Sequence, residues 1–596
     1  MTRETDPLAL YTNFAENPEQ ANKKWGELNS TLQLAELIPN SASNCLKNAA
    51  KLIPKDKNQE NIELRHKIAE IFQSTTRNLG VWTERVEKNL EIYTKTGACL
   101  EVGHQPKFLG GERFLLNKIA CGGILARNSW YHSQQKTSFS LLPFLFIGDY
   151  DKVHRELTRT VIPSINAENG KSLHIPKKLE KLYTESTISH LPLPSEVEFQ
   201  SILEDFRNSM NFSFKTVTKN SEQRQLWEER LEHGLTLLKT AYFNSLSSDS
   251  HIPPYTRWFG QLIGVLSNII GDYGYTFVNA TDPRLQTLFL PHYEYLLKNR
   301  EEYIRNYQEI LSILEAYGFR STLRAVEKDF VPFFAVCSTP DCHGRRITLR
   351  AISSAANMHS IILEGVCDQC KKIIQIETAS EKPDLWDLRF RLTPRVDSRQ
   401  FLVSSTIKPQ IHVAGTGETR YYMHDLPLIS RLNPKISLPQ IYFYNKITRN
   451  TPWTRALEPS LHQIPDFLDT IKVIMKASGK LQKMVKNLKV SDNPENHANF
   501  RLKCLHVNKQ MKMAFFHLEQ ICLESLKNNN LPESLRQNIL PVFLANFFGR
   551  IRKEKHGQTS VFHWTDLLIT NGMNALFQDY ERIYRPWQIP GQEIVL

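Results

Sequence analysis

The chain has little of what would place it in a membrane, in an oxidising compartment or on a nucleic-acid arm. No apolar run approaches the roughly 20 residues that a spanning helix needs, and the opening MTRETDPLAL lacks the basic-then-apolar pattern of an export leader. Cysteine is scarce, nine in 596 residues, with four in two close pairs and five scattered. A disulfide framework would need more of them in a shorter chain. No block of about five or six like charges and no low-complexity tract interrupts the sequence. Together these absences give the expectation of a cytoplasmic protein with no membrane partner.

What remains is the composition of a packed protein, 41% hydrophobic and 23% charged, which argues against long disorder. Lys and Arg number 74 against 62 Asp and Glu, a net charge of +12. The excess is diffuse, so it suits anionic ligands or a solvated basic surface, and a nucleic-acid partner stays open without being favoured. At 596 residues the chain exceeds the size at which one core stops growing, so about two to four units are expected.

Between Asn61 and Lys95 the apolar residues Leu64, Ile68, Ile71, Leu79, Trp82, Val86, Leu90 and Tyr93 recur largely at helical spacing. The pattern changes at Ala98 to Val102, a short β-type run that ends in Gly103. A loop with Gly110 and Gly111 follows, then a helical stretch from Glu112 to Ala126, which is the order of a βα unit. Leu141 to Ile147 reads as a strand covered on both faces, and Tyr275 to Val278 as a third strand closing in Asn279-Ala280-Thr281-Asp282-Pro283. The fold class is therefore α/β with a Rossmann-like, doubly wound core, whose ligands bind beyond the carboxyl ends of the strands. Glu301 to Tyr317 reads as an amphipathic helix stopped by Gly318. Phe467, Ile471, Ile474, Ser478, Leu481, Val485 and Leu488 alternate four and three residues apart, and Met511 to Cys522 repeats that spacing. The expectation is a helical hairpin or coiled coil, able to form a homodimer seam. The units are 1–95 (helical), 96–335 (core, first part), 336–377 (zinc-ribbon insertion), 378–455 (core, second part) and 456–596 (helical).

The sharpest local signal is Cys337 and Cys342 followed, after a 24-residue spacer, by Cys367 and Cys370. The spacer carries two strand-like runs, Ile347 to Arg350 and His359 to Leu363, which describes two knuckles converging on a structural Zn²⁺. His343 is a substitute ligand should Cys342 point away. Gly103, His104, Gln105, Gly110 and Gly111 lie between strand and helix, where glycines let backbone N–H groups approach an anion or simply make a tight turn. Lys118, two turns into the helix, reaches a phosphate or is a surface lysine. Asp149, Asp151 and His154 follow the second strand; they bind Mg²⁺ with a nucleotide, orient an amine, act as acid and base, or cap a helix. Asn279 and Asp282 carry the same ambiguity. Gly415-Thr416-Gly417-Glu418, ahead of Tyr421, is another strand-to-loop turn with one carboxylate. Arg395 and Arg399 offer guanidinium groups suited to a carboxylate or phosphate, or to an internal ion pair.

Taken in order, these segments resemble the cysteine-adding ligase family of bacillithiol synthesis (BshC). Gly103 to Gly111 with Lys118 is similar to that family's glycine-glutamine-proline loop and following glycine pair. Gly148-Asp149-Tyr150-Asp151 is similar to its acidic stretch, Asn279 to Pro283 to its Asp-Pro turn, Gly415 to Glu418 with Tyr421 to its Gly-Pro-Gly-Glu loop, and Thr393-Pro394 through Arg399 to its Ser-Pro element. The likeness spans about residues 80 to 450 and the helical hairpin. It implies a Rossmann-like core with a coiled-coil appendage, often dimeric, that condenses cysteine onto an amino-sugar malate conjugate. The sequence departs from the pattern at His104 (commonly Gln), Gly148 (acidic), Tyr150 (His) and Thr416 (Pro), and the zinc ribbon is an addition to it.

The expected function is thus an amide-forming ligase. Its glycine loop binds an anionic substrate or nucleotide phosphate, Arg399 and Lys118 neutralise charge, Asp149 or Asp151 engages the attacking amine, and a nucleotide with Mg²⁺ activates the carboxyl. The competing expectation is a repurposed protein of the same fold that binds RNA or a protein partner through its ribbon and basic surface.

Overall fold

A computed structural model describes residues 26–32, 37–39, 41–54, 58–133, 140–163, 171–246, 250–319, 323–353, 359–415, 418–444, 446–448, 563–584 and 593–595. The first strands form where the sequence pattern changes period: β1 (Cys99–His104) and β2 (Leu142–Ile147). A small antiparallel pair follows, β3 (Arg159–Ile162) and β4 (Lys171–His174), and then β5 (Thr276–Asn279). Next come β6 (Phe330–Val336), β7 (Arg346–Ser353), β8 (Ser360–Val366), β9 (Ile373–Ala379) and β10 (Leu392–Pro394). The last are β11 (Ile411–Ala414), β12 (Gln440–Phe443) and β13 (Lys446–Thr448), the latter pairing with β14 (Glu593–Val595).

One all-parallel sheet runs in the order β12-β11-β1-β2-β5. The chain moves outward from β1 through β2 to β5, then crosses to the other side of β1 for β11 and β12. Strand order reverses between β1 and β11, and the crevice beyond the carboxyl ends at such a reversal is where open parallel sheets bind ligands. Both faces of the sheet are covered. Leu100, Val102, Leu145, Ile147 and Val413 belong to one core with the helix Arg113–Ser133. Cys99, Phe144, Phe146, Ala414 and Phe443 belong to a second core with the helices Val396–Thr406 and Thr419–Leu432. Burial on both faces is why LPFLFI reads as an unbroken apolar run. The arrangement is that of a Rossmann-like core.

The helix read over Asn61 to Lys95 is two helices, Gln59–Asn78 and Glu84–Thr96. Gly80 takes a left-handed φ of +68°, which stops the first, and the Thr83 side chain accepts from Val86 N to start the second. The helix Arg300–Ala316 ends as expected before Gly318, at φ +76°. The expected ribbon, 336–377, is the middle of a wider antiparallel sheet, β10-β6-β7-β8-β9, that reaches from Phe330 to Pro394. The helices Thr565–Asn571 and Met573–Ile583 pack on Ser221–Ser245 and Arg113–Ser133. The expected hairpin over 467–522 lies outside the described residues, and among those residues no helix is long and apolar enough to cross a membrane.

Candidate active site and metal centre

Ionisable residues interrupt the apolar pattern of the central sheet. Glu101 of β1 and His412 of β11 are register partners in adjacent strands, so they lie side by side, and both are fully buried. His412 Nδ1 is 2.9 Å from Glu101 Oε2, and Arg399, from the helix Val396–Thr406, pairs with Glu101 Oε1. On its other side His412 Nε2 is 2.9 Å from the Tyr422 hydroxyl and 3.6 Å from Glu418 Oε1. Lys118 then bridges the two strand ends, with Nζ 2.8 Å from the Gly103 carbonyl and 2.7 Å from Glu418 Oε2. Gly415 N also donates to Glu418, as does the Tyr421 hydroxyl at 3.2 Å. Gly103 makes room for this: a Cβ there would lie 3.2 Å from Arg399 Nη1 and 3.5 Å from His412 Cε1. The cluster lies at the reversal point between β1 and β11.

Its electrostatics follow from these pairings. Burial works against ionisation of Glu101, but Arg399 and His412 override it and bring the carboxyl down to about 2. Burial likewise opposes Glu418, and Lys118 with His412 holds it well below the usual carboxylate range. His104, at the end of β1, is driven down to about 3 by burial and by Lys107 and Lys118. Its imidazole is therefore neutral, and its Nδ1 donates to the Gln105 carbonyl at 2.7 Å. The result is two carboxylates and two cations held in place at one sheet edge, with an imidazole between the carboxylates.

Asp149 is not a free carboxylate. It accepts from Thr281 N (3.0 Å), Thr281 Oγ1 (2.6 Å), Thr256 Oγ1 (3.2 Å) and Asn279 Nδ2 (3.4 Å), which ties the end of β2 to the end of β5. Burial raises it to about 6 against those hydrogen bonds. Asp151 is half-buried and accepts from Gln105 Nε2 at 3.2 Å on one oxygen and from Arg346 Nη1 at 3.1 Å on the other. The turns after β1 and β2 thus meet directly. His154 is half-buried, and its carbonyl accepts from Leu157 N. Asp282 caps the helix Pro283–Lys298 and pairs with Arg284 at 2.6 Å. Gly417 lies outside the described residues. Among the described residues, Asp149, Asp151 and His154 do not form a three-ligand metal group; the four cysteines do.

The glycine loop divides in two. Gly103 to Gln105 lies at the carboxyl end of β1 with Gln105 partly open, whereas Phe108 to Gly111 is buried under the C-terminal segment. Leu109, Gly110 and Gly111 take φ of +53°, +82° and +77°. The Leu109 carbonyl accepts from His563 Nε2 (2.6 Å) and Trp564 Nε1 (3.1 Å). A Cβ on Gly110 would sit 2.7 Å from Leu262 Cδ2. Behind the loop Arg113 pairs with Asp566, and Lys107 with Glu112 at 2.8 Å. The glycine pair therefore makes a tight, packed turn, and the anion-binding part of the expectation rests on Gly103 to Gln105 and Lys118.

The thiols of Cys337, Cys342, Cys367 and Cys370 lie within 4.8 Å of one another, with Cys337 to Cys370 and Cys342 to Cys367 both at 3.7 Å. Four sulfurs about 2.3 Å from a tetrahedral Zn²⁺ stand roughly 3.8 Å apart, so the set fits that ion. The first knuckle joins β6 to β7 and the second joins β8 to β9. His343 and Lys371, at φ +50° and +60°, turn the chain behind each knuckle. Lys372 through its backbone, and Thr339 through its hydroxyl, bring Cys370 down to about 6. Cys342 points into the cluster, so His343 stays outside it, 4.7 Å from the Tyr183 ring.

Sequence reasoning did not single out Glu101, His412, Tyr422, Thr281 or Arg346 as site residues. For Glu101 and His412 the available signal was an ionisable residue inside an otherwise apolar strand. Compared with protein-family models and with curated proteins, the chain matches none of them.

Proposed function

We propose that the chain is a carbon–nitrogen ligase of the cysteine-adding type, joining cysteine or a related amino acid to an amine-bearing acceptor such as the glucosaminyl-malate conjugate. The observation that carries this reading is the buried ionic cluster of Glu101, His412, Glu418, Lys118 and Arg399 at the strand-order reversal. Such a cluster costs more to desolvate than apolar residues of the same volume. Its position at a ligand-binding edge therefore favours chemistry over stability as its reason.

In the reaction the acceptor nitrogen bonds to the cysteine carboxyl carbon, the amine gives up a proton and the activating group leaves with its electron pair. A nucleoside triphosphate with Mg²⁺, held mainly through its phosphates, supplies that activation when bound. Lys118 neutralises the anionic charge of the donor, and Asp151 with Gln105 orients the amine. Glu418, at 20% side-chain exposure the most open carboxylate of the cluster, stays ionised beside Lys118 and supplies a fixed negative charge near the attacking amine, whose proton passes to solvent. His412, with Nε2 3.6 Å from Glu418 Oε1 and Nδ1 2.9 Å from Glu101 Oε2, lies between the two carboxylates and holds Glu418 in place. Asp149 positions the strand ends and stays out of the proton path. Metal-loaded protein incubated with cysteine, the conjugate, ATP and Mg²⁺ should give an acceptor heavier by one cysteinyl residue. Glu418→Gln and His412→Asn should slow this by about 10²- to 10³-fold. No adduct with any nucleotide would remove the reading.

One observation favours a second reading, a partner-binding role for the ribbon side. Trp386 and Phe390 are exposed, and the Arg389 guanidinium lies 4.1 Å and 4.3 Å from their rings. Exposed aromatics with arginine anchor protein partners and stack nucleic-acid bases. Salt-dependent RNA retention that is lost in Trp386→Ala would support it; absent or salt-insensitive binding counts against it.

A further inference from the structure

The segment from Glu185 to Ser189 lies between the first cysteine knuckle and the turn after β2, hydrogen-bonded to both. On the knuckle side Thr187 N donates to the Gly344 carbonyl (3.0 Å) and Arg346 N to the Glu185 carbonyl (3.1 Å). On the sheet side Val153 N donates to Ser186 (2.7 Å), Ile188 N to Asp151 (2.8 Å) and Ser189 N to Asp149 (2.9 Å). Gly344 permits the close approach: its φ is +71°, and a Cβ there would fall 2.2 Å from His190 Nδ1.

Side chains run parallel to this backbone layer. Cys337 N donates to the Arg345 carbonyl at 2.8 Å. Arg345 fastens the first knuckle to the second, with Nε 2.8 Å from Gln369 Oε1 and Nη1 2.8 Å from Asp368 Oδ2. The next residue, Arg346, stacks over Phe334 at 4.2 Å and reaches Asp151 Oδ1 at 3.1 Å. The other Asp151 oxygen takes Gln105, at the end of β1. From a cysteine ligand to the crevice, every step is a covalent bond or a hydrogen bond.

We propose that Arg346 is a positioning residue for the crevice, and that metal held by the four cysteines fixes, through it, where the Asp151 carboxylate stands. The cysteine centre then does more than staple a sheet: its occupancy is felt at the crevice. A four-cysteine site binds its ion only as thiolates and supplies folding energy to the loops that carry it. Gly344 and Arg345 belong to such a loop, Arg346 opens β7 behind it, and the three residues carry six of the hydrogen bonds named above. The inference rests on the ligase reading only for the task given to Asp151.

Hydrogen exchange of the full-length, zinc-loaded chain tests this without relying on product formation. Arg346→Ala should raise exchange in peptides covering residues 148–154 about tenfold, the effect of losing one hydrogen bond between charged groups, with zinc content unchanged. Arg346→Lys should restore most of the protection, which loss of bulk alone would not predict. Zinc removal should raise exchange over 148–154 and 185–190 together with the ribbon. In Asp151→Ala, which cuts the same link from the crevice side, zinc removal should change 148–154 less than in the wild-type chain, the remainder passing through the backbone of residues 185–189. Loosening confined to the ribbon on zinc removal, or unchanged exchange over 148–154 in Arg346→Ala, would overturn the proposal. Failure of the ligase reading would instead show as absent product with this coupling intact.

Discussion

At the scale of single residues, the most consequential group is one that packing alone would never select. Glu101 is fully buried, and Arg399 with His412 is what keeps it charged. Removing the guanidinium leaves a buried carboxylate without its main partner, so Arg399→Ala should cost about 3–5 kcal/mol in a denaturant titration at pH 7. The pH dependence has a definite sign. The folded pKa, about 2, is below the ordinary 4.5. The stabilisation is therefore complete above about pH 4.5 and is lost as pH falls through 2, an acid limb of about 3 kcal/mol. Glu101→Gln should flatten that limb, with the gap to the wild-type chain closing as pH falls. A gap that widens in acid would contradict the assignment.

At the scale of elements, β1, β2 and β5 were legible because strands buried on both faces read as apolar runs, and the cysteine pairs because their geometry is set locally. The break at Gly80 was not, since a single glycine does not erase helical spacing on either side of it. Neither was the pairing of Glu101 with His412: they are some 300 residues apart, and only the return of β11 beside β1 brings them into register. Asp149 was legible as a site residue but not in its role, because Thr256 and Thr281 reach it from distant segments. Its folded pKa of about 6 exceeds the usual value, so the stability it contributes is complete below the ordinary pKa and is lost as pH rises through 6. Asp149→Asn, which turns a donor toward donors, should lose about 1–3 kcal/mol and should remove that step from the pH profile measured by thermal unfolding. The cysteine sheet makes an independent prediction. The chain should carry one zinc by mass spectrometry, and Cys367→Ser should lower that content and expose β6 to β9 to exchange.

At the scale of the whole molecule, residues 563–584 and the loop and helix after β1 depend on one another. His563 and Trp564 cover the glycine loop, Arg113 pairs with Asp566, and the Tyr584 hydroxyl donates to the Asn117 carbonyl at 3.2 Å. None of this was readable, because the donors and the Leu109 carbonyl are some 450 residues apart. Trp564→Ala opens a hole beneath Gly110 and should cost about 3–5 kcal/mol, seen as a lower unfolding midpoint with the zinc retained. The central claim, however, is that the reversal between β1 and β11 is where the chain does its chemistry. It is tested most directly by the mass of the acceptor after incubation with cysteine and ATP, for the wild-type chain beside Lys118→Met at matched zinc content and matched folding. The account predicts a cysteinyl-bearing product from the first and a loss of at least about a hundredfold in the second; equal product from both would contradict it.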